Sequence, residues 1–410
     1  MKKFLVILLV VLVAFGALVT VKGAKPADLF TPAQEAEPAA DAGEAAPADA
    51  AAQPEPQAEA EPVRELDYAA IRALRPEEET VLTVEGESAS WGQFCDLLQS
   101  TSTDIRKYFD QMSAYYGVAA DWEGSVGDDS GRTYAQYAVS ETTDYLESIL
   151  TIRAFAAANG VTLDEEALAS LEPQAMADAV LGEGASLDDF YARLESEAHM
   201  SFETYRAMRE ASLLYAATVE QLYGTAGEKI SEEDAVKYLE EQGYLAAHHI
   251  LLMTIDPNTG DKLEESEINA KREKAGEIAA ELRAIEDQEE LLKRFAELKQ
   301  ELCEDTGKTL YPDGYTFQPG AMVQEFENAV KDLAEYAVSD PVETAYGYHV
   351  ILRLPLKGDA PLLTLQGTSS TARMELAQKR ITEALDAFQA EHPAEYAEGV
   401  EDFDLVPYLK

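Results

Sequence analysis

Two apolar runs, "YLAAHHILLM" from Tyr244 to Met253 and "YHVILRL" from Tyr348 to Leu354, most constrain what this chain can fold into. Each has the length of a strand. A strand leaves unpaired N–H and C=O groups along both edges, so neither run can be buried without a neighbour. The sequence between them reads as two helices, "ESEINAKREKAGEIAAELRAI" and "DQEELLKRFAELKQELCED", then the loop "TGKTLYPDGYTFQPG". A short helix, "MVQEFENAVKDLAEY", and a strand, "PVETAY", complete the segment. Strands and helices mixed in this order make an α+β unit over residues 244–357.

Histidines mark both runs, three of the chain's five lying in them. Side chains alternate along a strand, so His248 and His249 face opposite sides of their sheet. His349 shares a face with Ile351 and opposes Tyr348 and Val350. A buried imidazole needs partners for its ring nitrogens, and Thr344, one strand earlier, can supply one. Spacing alone leaves two readings open, a structural histidine bonded within the sheet or a member of a site. Met322 and Phe326, four apart, read by spacing as the core face of an amphipathic helix. A metal site from His248, His249 and His349 is disfavoured, because neighbouring strand residues diverge; no metal or cofactor is expected.

The first 24 residues carry Lys2 and Lys3 ahead of an uncharged apolar stretch from Phe4 to Val21, the pattern of a signal peptide or an N-terminal membrane anchor. Residues 25–65 are rich in Ala, Pro and Glu and poor in large apolar side chains, which predicts a disordered linker. Together these place the rest of the chain outside the cytoplasm, membrane-anchored or secreted. The net charge of −46, from 78 acidic and 32 basic residues, argues against nucleic acid as a partner. Cys95 and Cys303 are the only cysteines, too far apart for metal-ligand spacing. Cys95 reads as a small buried hydrophobe on a helix face.

Residues 66–243 read as a mainly helical domain. "VLTVEG" is a strand entering a turn at Glu85-Gly86, and Ser90 is an N-cap for the helix carrying Trp91, Phe94, Leu97 and Leu98. Thr162 and Glu165 read as a capping box. His199 reads as a structural or surface histidine and His392 as exposed. Residues 358–410 hold a spacer, a helix over Thr371–Pro393 and a possible last strand, "VEDFDLVPYL".

"HHILL", "CEDTG", "FQPGAMVQEFENAV" and "SDPVETAYGYHVI" occur in the order and spacing of parvulin-type peptidyl-prolyl cis/trans isomerases, which this segment resembles. The flanking "VLTVEGESASWGQFCDLL" and "ISEEDAVKYLEEQ" resemble the helical segments of extracytoplasmic foldases of the PrsA and SurA type. The resemblance implies a four-stranded, mostly antiparallel sheet with flanking helices, beside a helical chaperone domain on which residues 358–410 pack. It implies catalysis of X-Pro isomerisation in unfolded or newly secreted polypeptides. Site residues carried over are His249, Asp305, His349 and Thr344, with Met322, Phe326 and Phe317 forming the prolyl pocket. The loop "EDTGKTLYPDGYTF" lacks the family's usual Gly-Gly-Asp-Leu-Gly, which leaves open whether Asp305 or Cys303 meets the site. The alternative is a non-catalytic holdase whose parvulin domain only binds peptides.

Overall fold

The computed structural model describes residues 63–116, 121–127, 130–365 and 367–410. The predicted leader and nearly all of the predicted linker lie outside the described residues. Helices are α1 (Tyr68–Arg72), α2 (Trp91–Tyr116), α3 (Tyr134–Ala158), α4 (Glu165–Ser170), α5 (Pro173–Leu181) and α6 (Leu187–Arg193). They continue as α7 (Phe202–Tyr223), α8 (Glu232–Glu241), α9 (Glu265–Arg283), α10 (Gln288–Leu302), α11 (Gln324–Asp332) and α12 (Ala372–Glu391). Strands are β1 (Thr80–Val84), β2 (Glu87–Ser90), β3 (Leu245–Met253), β4 (Tyr315–Phe317), β5 (Val342–Glu343), β6 (Gly347–Leu354), β7 (Pro361–Thr364), β8 (Gly367–Thr371) and β9 (Glu395–Tyr396). Contacts divide the chain into two compact units, one of the residues before Val219 together with 382–410, the other of 219–381.

In the first unit, β1 and β2 form a hairpin whose two turn residues, Glu85 and Gly86, both have positive φ (47° and 88°). That geometry matches the right-handed twist of the flanking strands. Ser90 caps α2: its Oγ accepts from the Gln93 N–H at 3.3 Å, and the Gln93 side chain accepts from the Ser90 N–H at 2.9 Å. Trp91 and Phe94 stack at 5.0 Å, with Phe403 edge-on to both. Residues 382–410 join this unit: β9 pairs antiparallel with β1, and Phe388 meets Phe155 edge-on at 5.5 Å.

Three local expectations are corrected here. Asp164, not Thr162, caps α4 by accepting from the Ala167 N–H, because it directly precedes the helix and reaches the N3 amide. His392 is half-buried, its ring tilted against Phe388 at 4.4 Å and bonded to Glu85 at 2.7 Å. The chain end forms a 3-10 turn over Val406–Tyr408, since Pro407 fixes a helical φ and lacks the N–H a ladder needs.

The second unit is built on a sheet of order β5-β6-β3-β4-β7-β8. Its first four strands are the expected four-stranded sheet; β7 and β8, from a segment that reads as spacer, extend it to six. β7 runs parallel to β4, and the reason is burial: Leu362 is fully buried with Ala235, Leu239 and Tyr244. One face carries Ile250, Leu252, Val350 and Leu352 against Ile278 and Leu282 of α9 and Phe295 and Leu298 of α10. The opposite face carries Ala247, Tyr315, Phe317 and Ile351 and packs on Phe326 and Val330 of α11.

β3 and β6 are antiparallel, with His249 opposite Ile351 and Leu251 opposite His349. This register puts both histidines on the α11 face, one diagonal step apart. Gly347 sets where β6 begins. Its φ is 149°, and a Cβ there would lie 2.2 Å from the Leu252 carbonyl oxygen. Gly347→Ala should therefore destabilise this unit by about 2–4 kcal/mol, read by urea unfolding.

Candidate functional site

The site assembles where β3, β6 and the loop before β4 meet. His249 Nδ1 lies 3.0 Å from His349 Nδ1, His249 Nε2 is 2.8 Å from Asp305 Oδ2, and His349 Nε2 is 2.9 Å from Thr344 Oγ1. The four polar residues expected at the site thus form one continuous chain. Asp305 also accepts from the Tyr315 hydroxyl at 2.6 Å on Oδ2 and from the Gly307 N–H at 2.9 Å on Oδ1.

Proton positions follow from the carboxylate. Burial raises the Asp305 pKa, but the hydrogen bonds from His249, Tyr315 and Gly307 outweigh it and hold the carboxyl well below the usual range. Asp305 is therefore ionised and accepts only, so His249 carries its proton on Nε2. With His249 as the Nε2–H tautomer, His349 donates from Nδ1 to His249 Nδ1 and Thr344 donates to His349 Nε2. That assignment satisfies every link. Burial, aided by the neighbouring His249, pushes His349 down to about 3, so its ring stays neutral near pH 7. Tyr315 is raised by burial and by its bond to the Asp305 carboxylate.

Apolar walls stand over this chain. The Phe326 ring is edge-on to His249 at 5.3 Å and to His349 at 5.5 Å, and Phe317 lies 5.9 Å from Phe326. Phe317 is fully buried and Phe326 is 2 % exposed. Met322 packs against the same cluster, half-buried. It does not lie one turn from Phe326 as the spacing suggests: α11 begins at Gln324, and Met322 sits in the loop after Pro319-Gly320. Its apolar contacts come from that loop folding back onto the sheet.

His248 points to the other face, its ring 5.6 Å from Phe295, and accepts from Lys299 Nζ at 3.2 Å. Burial and Lys299 push it down to about 3. Cys303 reaches only backbone: its Sγ accepts from the Leu251 N–H at 3.4 Å. The side chain facing His249 is thus that of Asp305. Both cysteines are buried free thiols. Sequence reading missed Tyr315 and Gly307. Both lie in the loop that departs from the family pattern, and the juxtaposed "TG" and "GY" gave no periodic signal. A Cβ at Gly307 would lie 2.3 Å from the Tyr315 hydroxyl, so a larger residue there would push that hydroxyl off Asp305.

Residues 249–354 match the family model of the PPIC-type PPIASE (rotamase) domain, a span that begins at the first site histidine and closes β6. The chain is 31 % identical over 170 residues to the foldase protein PrsA of Oceanobacillus iheyensis, covering 40 % of this chain and 54 % of that one. It is 42 % identical over 98 residues to the foldase protein PrsA of a Geobacillus species, covering 23 % and 32 %. The chain thus spans about half, or less, of the length of these curated relatives. Among solved structures, NmPin, the parvulin of Nitrosopumilus maritimus, is 27 % identical, covering 27 % of this chain and 95 % of its own, with a TM-score of 0.19. The domain assignment rests on the family match and the PrsA relatives: residues 249–354 belong to the PPIC-type PPIase, or parvulin, family.

Proposed function

We propose that this protein is an extracytoplasmic foldase that catalyses cis/trans isomerisation of X-Pro bonds in unfolded or newly secreted polypeptides, with chaperone activity from its helical unit. The observation that carries the reading is the chain Thr344–His349–His249–Asp305 lying directly beneath the Phe326 ring. The apolar leader, with Lys2 and Lys3 ahead of it, supports an anchored or secreted location.

Rotation about an X-Pro bond is opposed by amide resonance, a barrier of ~20 kcal/mol. A site lowers it by favouring the twisted amide, in which carbonyl oxygen and nitrogen lose their charge separation. Phe326, Phe317 and Met322 provide an apolar slot for the pyrrolidine ring, where the less polar twisted form is favoured. Asp305, ionised at its edge, disfavours the negative oxygen of the planar amide. His249 holds that carboxylate in place and is itself held by His349, whose buried ring stays uncharged near pH 7. No covalent step is needed, and a ~1000-fold acceleration requires only ~4 kcal/mol of preferential transition-state binding.

The second reading, a holdase whose parvulin domain only binds peptide, is favoured by the closure of the slot, with Phe317 fully buried and Tyr315 in the same cluster. Refolding of a client limited by proline isomerisation separates the two. An isomerase accelerates the slow phase at substoichiometric amounts, and Met322→Ala should reduce that acceleration about 10-fold while the fold persists. Suppression of aggregation at stoichiometric amounts with an unchanged slow phase would establish the holdase.

A further inference from the structure

We propose that Lys299 is a positioning residue for this site: its buried ammonium ties the Tyr311–Pro312 turn to β3 and so holds Tyr315 and Asp305 against His249. Lys299 lies in α10 and is 5 % exposed. Its Nζ donates to the Tyr311 carbonyl at 2.8 Å, the Pro312 carbonyl at 3.3 Å and His248 Nδ1 at 3.2 Å. An ammonium has three N–H donors, and all three are used. Among the described residues Lys299 has no ion pair. An apolar side chain would fill this position in an amphipathic helix at no desolvation cost, so the charge is retained for its bonds.

The path from this turn to the site is continuous. The Tyr311 ring lies on the Tyr315 ring at 4.5 Å, and the Tyr315 hydroxyl donates to Asp305 Oδ2. Asp305 accepts from His249 in turn. Lys308 Nζ also fastens the loop start by donating to the Cys303 carbonyl at 2.5 Å. A loop without the glycine-rich family pattern is thus braced from outside the site, through His248, the strand neighbour that faces away from it. The charged and titratable groups around Lys299 are His248, Cys303, Asp305, Asp313 and Lys308. Burial lowers its pKa, so the brace should fail at alkaline pH before an exposed lysine would titrate.

The kinetic part of this inference rests on the isomerase reading; the structural part does not. In the full-length protein, Lys299→Met should raise amide exchange over residues 306–315 at least 10-fold and broaden the His249 Nε2–H resonance. It should lower kcat/KM on a prolyl peptide about 10-fold through kcat, with KM little changed, and abolish the alkaline limb of the wild-type pH profile. If Lys299 acts through Tyr315, adding Lys299→Met to Tyr315→Phe should cost less than 2-fold more. Lys299→Gln, which keeps a donor for one carbonyl, serves if the Met variant does not fold. Unchanged exchange over 306–315, or equal losses in both backgrounds, would overturn the proposal. A wild-type protein inactive on prolyl peptides would defeat the isomerase reading alone, and exchange with the His249 resonance would still decide the role of Lys299.

Discussion

Asp305→Asn should slow isomerisation of a short X-Pro peptide about 100-fold, or ~2.7 kcal/mol of transition-state stabilisation. Two effects combine. The amide is neutral, so the field that disfavours the planar, charge-separated peptide bond is lost. Its NH2 end can also donate, so it no longer requires His249 to present an Nε2–H. The measurement is kcat/KM by exchange spectroscopy, with thermal melting as the control for folding. The Tyr315 and Gly307 donors lose only part of their acceptor, so Tm should move by a few degrees. A rate within 2-fold of wild type would remove Asp305 from the mechanism.

The second large effect is acid destabilisation of the unit spanning residues 219–381. Burial pushes both His248 and His349 from 6.5 down to about 3. Between those values the unfolded chain binds protons that the folded chain refuses, so stability is independent of these groups above pH 6.5 and falls as pH drops toward 3. Each pH unit is worth about 1.4 kcal/mol per histidine. From pH 6.5 to 5, while most carboxylates remain ionised, the pair should cost about 3 kcal/mol. Asp305, held low by its donors, acts in the same direction at still lower pH: its contribution is lost as pH falls below the ordinary carboxylate value near 3.9. Urea midpoints followed at the β3–β6 amides provide the test. A flat midpoint from pH 6.5 to 5 would mean that the two rings accept protons in the folded state.

Much of this site could be read from the sequence, for physical reasons. Strand alternation alone separates His248 from His249 and groups His349 with Ile351, and the β3–β6 register then brings the two site histidines to one face. Thr344 was legible because a buried imidazole needs a partner and a threonine stood one short strand away. What escaped reading depends on loop conformation, which carries no periodicity. Tyr315 reaches Asp305 only because the loop between them folds through a 3-10 turn at Thr306–Thr309. Met322 was assigned to a helix that begins two residues after it. β7 and β8 were hidden in a segment that reads as a spacer, where the buried Leu362 gives too short a pattern to mark a strand. His392 finds Glu85 across a separation of 307 residues, a pairing no local signal encodes.

Exchange spectroscopy of a proline-containing tetrapeptide with a catalytic amount of the full-length protein addresses the central claim most directly. The Thr344–His349–His249–Asp305 chain beneath Phe326 predicts cis–trans exchange that rises linearly with protein concentration and falls about 100-fold with Asp305→Asn. Exchange at the uncatalysed rate, in a protein that melts cooperatively, would contradict it.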